Sequence, residues 1–165
     1  MACTRNFTVC SPLNRLQGNS LGDNYLYSES NGAHSLSYMD FATDENGVWL
    51  IYRVKDRDQI AVSSINTETL QLQASWLLPS QKSRDLGNMF IACGVLYRVN
   101  SMTSPQAHID WAYNLYTKRA SKLSMTWLNT FGKATMINYN PRDQLLYIYD
   151  NGFLLTAALD IVYPN

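Results

Sequence analysis

Charge is what this 165-residue chain has least of. Asp, Glu, Lys and Arg make up 16% of it, against about 25% in ordinary globular domains. Thirteen basic side chains balance thirteen acidic ones, so the formal charge is zero. A nucleic-acid binder needs a basic excess to neutralise phosphates, and the chain has none. No apolar run approaches the ~20 residues of a membrane span; the longest, Met89 to Tyr97, is interrupted by Cys93 and Gly94. There are two histidines, His34 and His108, each in a polar stretch without a nucleophile motif beside it. G-x-S-x-G, G-x-G-x-x-G and the P-loop are absent, which removes the sequence signals for a serine hydrolase, a dinucleotide site and a nucleotide phosphate site. Met1-Ala2-Cys3-Thr4-Arg5 lacks the basic-then-apolar pattern of a secretory signal. With 46% hydrophobic residues the chain has the material for a packed core, which excludes wholesale disorder.

What is present is a strand texture. Residues 1–23 are rich in Ser, Asn, Gly and Gln and read as loop. From about residue 24 onward, short runs of Tyr, Trp, Ile, Val and Thr alternate with turn clusters: Asp44-Glu45-Asn46-Gly47, Lys55-Asp56-Arg57-Asp58, Asn140-Pro141-Arg142-Asp143 and Asp150-Asn151-Gly152. Such punctuation predicts antiparallel meanders. Val48 to Val54 with Ile60 to Ile65 reads as one hairpin, and Leu145 to Tyr149 with Phe153 to Ala158 as another. Sustained 3.6-residue periodicity is missing, so the fold class is all-β. Asp40 with Asp44, or Asp56 with Asp58, could be drawn as a glycosidase carboxylate pair, but acids in D-E-N-G and K-D-R-D clusters read as solvated turn formers. The four Trp and eleven Tyr could stack on sugars, although strand aromatics ordinarily pack cores.

Internal repetition narrows the architecture. Asp40 to Trp49, Asn88 to Tyr97 and Asn138 to Tyr147 each place a carboxylate or carboxamide nine residues before an aromatic that follows an aliphatic. Their starts are 48 and 50 positions apart, close to the ~40–50 residues of one four-stranded propeller blade. Within the first unit, strands are expected at about 38–42, 48–54, 60–65 and 70–77. A β-propeller and a β-sandwich both accommodate this pattern. In a propeller, Asp40, Asn88 and Asn138 converge on one central channel as oxygen donors suited to Ca²⁺; otherwise they are turn starters and strand caps.

The same residues carry a family resemblance. Met39-Asp40-Phe41-Ala42-Thr43-Asp44-Glu45-Asn46-Gly47-Val48-Trp49-Leu50-Ile51-Tyr52 resembles the D-[LF]-A-V-D-E-x-G-L-W-V-I-Y stretch of the olfactomedin domain. Asn66-Thr67-Glu68-Thr69-Leu70 with Trp76 is similar to its N-P-E-T-L…T-W segment, and Asn88 to Tyr97 to its N-A-F-M-[VI]-C-G-[VT]-L-Y. Tyr113 to Thr117 resembles its Y-D-x-x-T region. Asn138 to Asp143, then Asp150-Asn151-Gly152, resemble D-Y-N-P-R-D…[DN]-N-G. These motifs run in order from about residue 38 to the C-terminus, and the I-N-Y-N-P and D-N-G-F-L-L variants look closest to the olfactomedin-4-like secreted branch.

The resemblance implies a five-bladed β-propeller in a secreted, extracellular glycoprotein, acting in cell adhesion or in matrix and receptor contacts without catalysis. The expected partners are other extracellular or cell-surface proteins, with a homo-oligomer as a further one. It also implies a structural Ca²⁺, with Na⁺ as a second cation, held by the Asp40 and Asn88 side chains, the Met89 and Ile137 carbonyls, and Asn138. Many family members carry Asp at this last position, so Asn138 lowers the ligand charge from −2 to −1 and predicts a weak site. Cys93 matches a family cysteine bonded to one near the domain start, which makes Cys10 the expected partner and leaves Cys3 over; a buried thiol is the other reading of Cys93. Asn6-Phe7-Thr8 is a glycosylation sequon. Five units of about 49 residues need about 245, so an N-terminally truncated domain is expected, with an irregular segment over 1–37 and about three blades over 38–165. The rival functions are a metal-dependent propeller hydrolase of lactonase or glycosidase type, and a truncated variant without independent function.

Overall fold

The computed structural model describes residues 25–159 apart from 36, 55–57 and 85. Asn6, Cys3, Cys10 and Asp56 therefore lie outside the described residues. Eleven strands are present among those described, with no helix. The first sheet orders β1 (Met39–Asp44), β2 (Gly47–Arg53), β3 (Ile60–Ile65) and β4 (Leu72–Leu77) as a meander. The second repeats it with β5 (Asn88–Ala92), β6 (Val95–Val99), β7 (Gln106–Asn114) and β8 (Arg119–Leu128). The third has three strands: β9 (Ala134–Asn140), β10 (Leu145–Asp150) and β11 (Phe153–Ala158). All pairings are antiparallel.

Turn chemistry sets the hairpins. The β1–β2 and β5–β6 connections each leave two residues between the last paired positions, Asp44↔Gly47 and Ala92↔Val95. In the second, Cys93 (φ 50°) and Gly94 (φ 74°) are both left-handed, as a type I′ turn requires. Cys93 thus belongs to a turn rather than to the apolar strand that its neighbours suggest. The third unit departs from the other two. Proline has no N–H to give a ladder, and the Asn140-Pro141-Arg142-Asp143-Gln144 segment loops over four residues before Leu145 pairs with Asn140. Tyr147 consequently sits opposite Asn138, whereas Trp49 sits opposite Ala42 and Tyr97 opposite Phe90. Residues 66–70 close a turn between β3 and β4: Leu70 N–H reaches Asn66 O at 2.8 Å, and Asn66 Oδ1 receives Glu68 and Thr69 N–H.

Alternation puts one face of each sheet against the next. Trp49, Ile51 and Val62 of the first sheet pack on Met89, Ile91 and Leu96 of the second. Phe90, Tyr97 and Val99 of the second pack on Ile137, Leu146 and Ile148 of the third. Each such buried aliphatic or aromatic side chain contributes about 1.5–3 kcal/mol. The innermost strands β1, β5 and β9 contact one another pairwise. Three radially arranged antiparallel sheets around touching inner strands are consistent with a β-propeller-like fold. The described residues between 25 and 37 carry isolated bridges, Ser28↔His34 and Ser28↔Leu86, and Leu26 and Tyr27 are buried in the first core cluster. Two apolar residues without a period leave no trace in a sequence reading.

Candidate functional site

Asp40, Asn88 and Asn138 stand on the innermost strand of three different sheets. Each hooks a side-chain oxygen onto the amide of the following residue. Asn88 Oδ1 receives Met89 N–H at 2.6 Å, Asn138 Oδ1 receives Tyr139 N–H at 3.0 Å, and Asp40 receives the Phe41 amide. The hook fixes each side chain against its own strand and leaves acceptor capacity, since a carboxamide oxygen has two lone pairs and a carboxylate about four.

Further contacts draw the positions together. Tyr27 donates its hydroxyl to Asp40 Oδ2 at 3.0 Å and also meets the Met89 amide. Asn138 Nδ2 donates to Phe41 O at 3.3 Å, one residue from Asp40. Asn88, Met89 and Ile137 are buried. All five expected positions therefore lie on strands that touch. Burial pushes the Asp40 carboxyl above its ordinary value, against the pull of the Tyr27 and Phe41 bonds, and no cationic side chain contributes. Burial, and then the Asp40 charge, push the Tyr27 phenol well above 10. A carboxylate taken out of water without a cation, beside neutral oxygens, is a donor set that fits a hard cation. It carries one negative charge. Among the described residues no group of three His, Cys, Asp or Glu side chains stands together, so the set is oxygen-only and mostly neutral.

A cavity of about 550 Å³ adjoins this junction, with Tyr27, His34, Asn88 and Lys133 in its wall. His34 stacks on Tyr25 with ring centroids 3.7 Å apart. His108 is bonded to Thr126 Oγ1 on β8.

Several acids have roles that sequence reasoning misses. Asp44 is 4% exposed, not solvated. Its Oδ1 accepts Trp49 Nε1–H at 2.7 Å and Asn46 N–H at 2.8 Å, and its Oδ2 accepts Gly94 N–H at 2.6 Å. Glu45 accepts Cys93 N–H at 2.9 Å and the Tyr139 hydroxyl. Burial would raise the Glu45 carboxyl, but the Tyr139 and Cys93 bonds outweigh it and hold it below its ordinary value. The adjacent pair Asp44-Glu45 thus ties the first sheet to the second and third. Asp58 is likewise engaged, by the Ser83 hydroxyl at 2.6 Å and amide at 3.1 Å. With its oxygens already accepting from Trp49, Gly94 and Asn46, Asp44 is unsuited to act with Asp40 as a glycosidase pair. The only signal for these roles in the sequence is the spacing of Asp44 from Trp49.

Comparison with known proteins agrees with this architecture. The family model of the olfactomedin-like domain matches residues 6–162, starting well before the motifs recognisable from residue 38. The chain is similar to dog (Canis lupus familiaris) myocilin, 36% identical over 119 residues, which are 72% of this chain and 24% of that protein. It is similar to human olfactomedin-4, 36% identical over 125 residues, 75% of this chain and 24% of that protein. It also resembles human adhesion G protein-coupled receptor L1, 32% identical over 134 residues, 77% of this chain and 9% of the receptor. The chain therefore spans about a quarter or less of these curated relatives.

Proposed function

Because the chain belongs to the olfactomedin-like domain family, we propose that it is a non-catalytic protein-interaction module that works outside the cell, in adhesion or in matrix and receptor contacts. The observation that carries this reading is the employment of the acids. Asp44, Glu45 and Asp58 accept hydrogen bonds that hold sheets and loops together, leaving the loops and turns between strands as the surface that meets a partner. Shape and polar complementarity at those loops is the mechanism, as on other rigid β scaffolds. The test is binding of the fluorescently labelled chain to intact cells, read by flow cytometry before and after trypsin stripping of the cell surface. Binding that trypsin removes is expected; no binding, or binding indifferent to trypsin, sinks the reading.

The propeller proper takes five blades in this reading, with Ca²⁺ at its centre and Na⁺ as a second cation. The Asp40, Asn88 and Asn138 side chains and the Met89 and Ile137 carbonyls are the proposed ligands, and the ion's contribution is structural. Tyr27 holds the Asp40 carboxylate in position beside Met89, and the hooks at Asn88 and Asn138 keep their oxygens on the inner strands. Secretion, glycosylation at Asn6 and a Cys93–Cys10 disulfide belong to the same proposal. Mass mapping of a non-reduced digest checks the disulfide.

One observation favours a second reading, metal-dependent hydrolysis: His34 shares a cavity wall with Asn88. Calcium-dependent turnover of lactones or aryl glycosides that is lost in His34→Ala would replace the binding-module reading.

A further inference from the structure

The cavity of about 550 Å³ beside Asn88 differs from its neighbours in how its charges are matched. Two adjoining cavities are polar, and their arginines face carboxylates: Arg53 and Arg84 stand 3.8 and 3.7 Å from Asp58, and Arg98 3.2 Å from Asp110. The 550 Å³ cavity is walled mainly by apolar atoms, among them those of Leu86, Met102 and Ala134. Lys133 stands in the same wall, is exposed, and makes no ion pair among the described residues. Its backbone is pinned: fully buried Asp150 accepts Phe131 N–H at 2.8 Å and Lys133 N–H at 2.9 Å, and Met102 O accepts Ala134 N–H at 3.2 Å. Glu29 also borders the cavity, but its oxygens already accept Met102 N–H at 2.6 Å and the Ser101 and Thr103 hydroxyls at 2.6 and 2.7 Å. Asn88 is 6% exposed; Met89 N–H takes its Oδ1, and its Nδ2 donates to no described residue.

We infer that this cavity binds a small amphipathic carboxylic acid, with the carboxylate on Lys133 at the solvent side and the apolar body along Leu86, Met102 and Ala134. Its volume lies in the range of small-molecule sites, which join apolar walls to a few polar groups. The charges choose the ligand class. A neutral apolar molecule leaves the Lys133 ammonium unused. A cationic one meets that ammonium and finds the Glu29 lone pairs occupied. A polyanion has one cation to bind, which favours a single carboxylate. Asn88 Nδ2 offers one further hydrogen bond to an oxygen on the ligand. It is the opposite atom of the carboxamide from the one proposed to hold Ca²⁺, so the two sites do not compete for it. Because the Lys133 backbone is already fixed by Asp150, little ordering of the protein opposes binding.

Equilibrium dialysis of radiolabelled octanoate against the 165-residue chain tests this, with hexanoate, octan-1-ol and octylammonium as competitors. The expected result is one octanoate per chain, half-saturating below about 1 mM. Each methylene buried against an apolar wall is worth about fourfold in affinity, so hexanoate should bind roughly tenfold more weakly. Octan-1-ol and octylammonium, which keep the tail and lose the carboxylate, should each bind at least about threefold more weakly. Lys133→Met should weaken octanoate by about threefold or more and leave octan-1-ol unchanged. Ala33→Phe places a ring in the cavity that Ala33 lines and should abolish binding of both. Thr135→Phe, from another side of the same wall, repeats that test if the first variant fails to melt cooperatively. No saturable binding below about 1 mM overturns the inference. Octylammonium that binds as well as octanoate, or octanoate binding that survives Lys133→Met and the Phe substitution undiminished, overturns it equally.

Discussion

Removing the Asp44 carboxylate is the sharpest test of the claim that turn acids hold the sheets together. In Asp44→Ala, Trp49 Nε1–H and Gly94 N–H lose their acceptor inside the protein: Trp49 is 2% exposed and Gly94 is buried. Each buried donor left unsatisfied costs about 1–3 kcal/mol. Asn46 is exposed, so water replaces the carboxylate for its two donors and little is lost there. The sum is about 4 kcal/mol, and at about 2–4 °C per kcal/mol for a chain of this size the melting temperature should fall by about 8–16 °C. Asp44→Asn keeps the shape and one acceptor oxygen but turns an amide group toward the second donor, so about half the loss is expected. Asp143→Ala is the control. Asp143 is an exposed turn acid that accepts Leu145 N–H at 3.2 Å, and its removal should cost no more than about 1 kcal/mol. Urea unfolding followed by circular dichroism and tryptophan fluorescence measures all three. If Asp44→Ala loses no more than Asp143→Ala, the carboxylate is not a staple between sheets.

Further expectations follow from other sites. Burial alone would raise the Asp58 carboxyl, but Ser83, Arg53 and Arg84 outweigh it and lower it from 3.8. A lowered carboxyl stabilises the fold above its unfolded value, and that stability is lost as pH falls through the folded one. The melting-temperature gap between wild type and Asp58→Asn should therefore be full near pH 7 and close below about pH 3.8; a gap that is constant with pH contradicts this. A Cβ at Gly87 would stand 2.7–2.8 Å from the Ser101–Met102 backbone, which cannot rotate away, so Gly87→Ala should cost at least about 1–3 kcal/mol in the same unfolding assay. Asn138→Asp restores a second negative charge to the proposed calcium site and should tighten binding in calorimetry; unchanged affinity rejects Asn138 as a ligand.

Much of the fold was legible because strands announce themselves locally. The expected strands at 48–54 and 60–65 match β2 and β3 to within a residue or so, since alternating β-branched and aromatic residues end at turn formers on both sides. The three equivalent positions were legible too, because a repeat is a one-dimensional signal. The partners across sheets were not. Tyr27 reaches Asp40 from the 1–37 stretch expected to be irregular, and Glu45 meets Tyr139 from ninety-four positions away. Nothing in an Asp or Glu codon neighbourhood distinguishes an acid facing water from one facing a buried indole. That distinction is made by the next sheet, which brings Gly94 to Asp44.

The third repeat shows why a sequence match can succeed on a structure that differs underneath it. Asn138 and Tyr147 keep the nine-residue spacing of Asp40 to Trp49, yet the longer turn slides the partner strand so that Tyr147 pairs with Asn138 itself. The slide amounts to two residues, and side chains alternate with a period of two. A slip of one would have sent Tyr147 and Tyr149 to the opposite face and placed Leu146 and Ile148, which now pack on the second sheet, outward. A slip of two moves every residue along the strand and none across it. Facing is therefore preserved while register is not, and facing is what a propeller-like stack selects for. The same parity keeps Met136, Tyr149 and Leu154 together on the face of the third sheet that points away from the second.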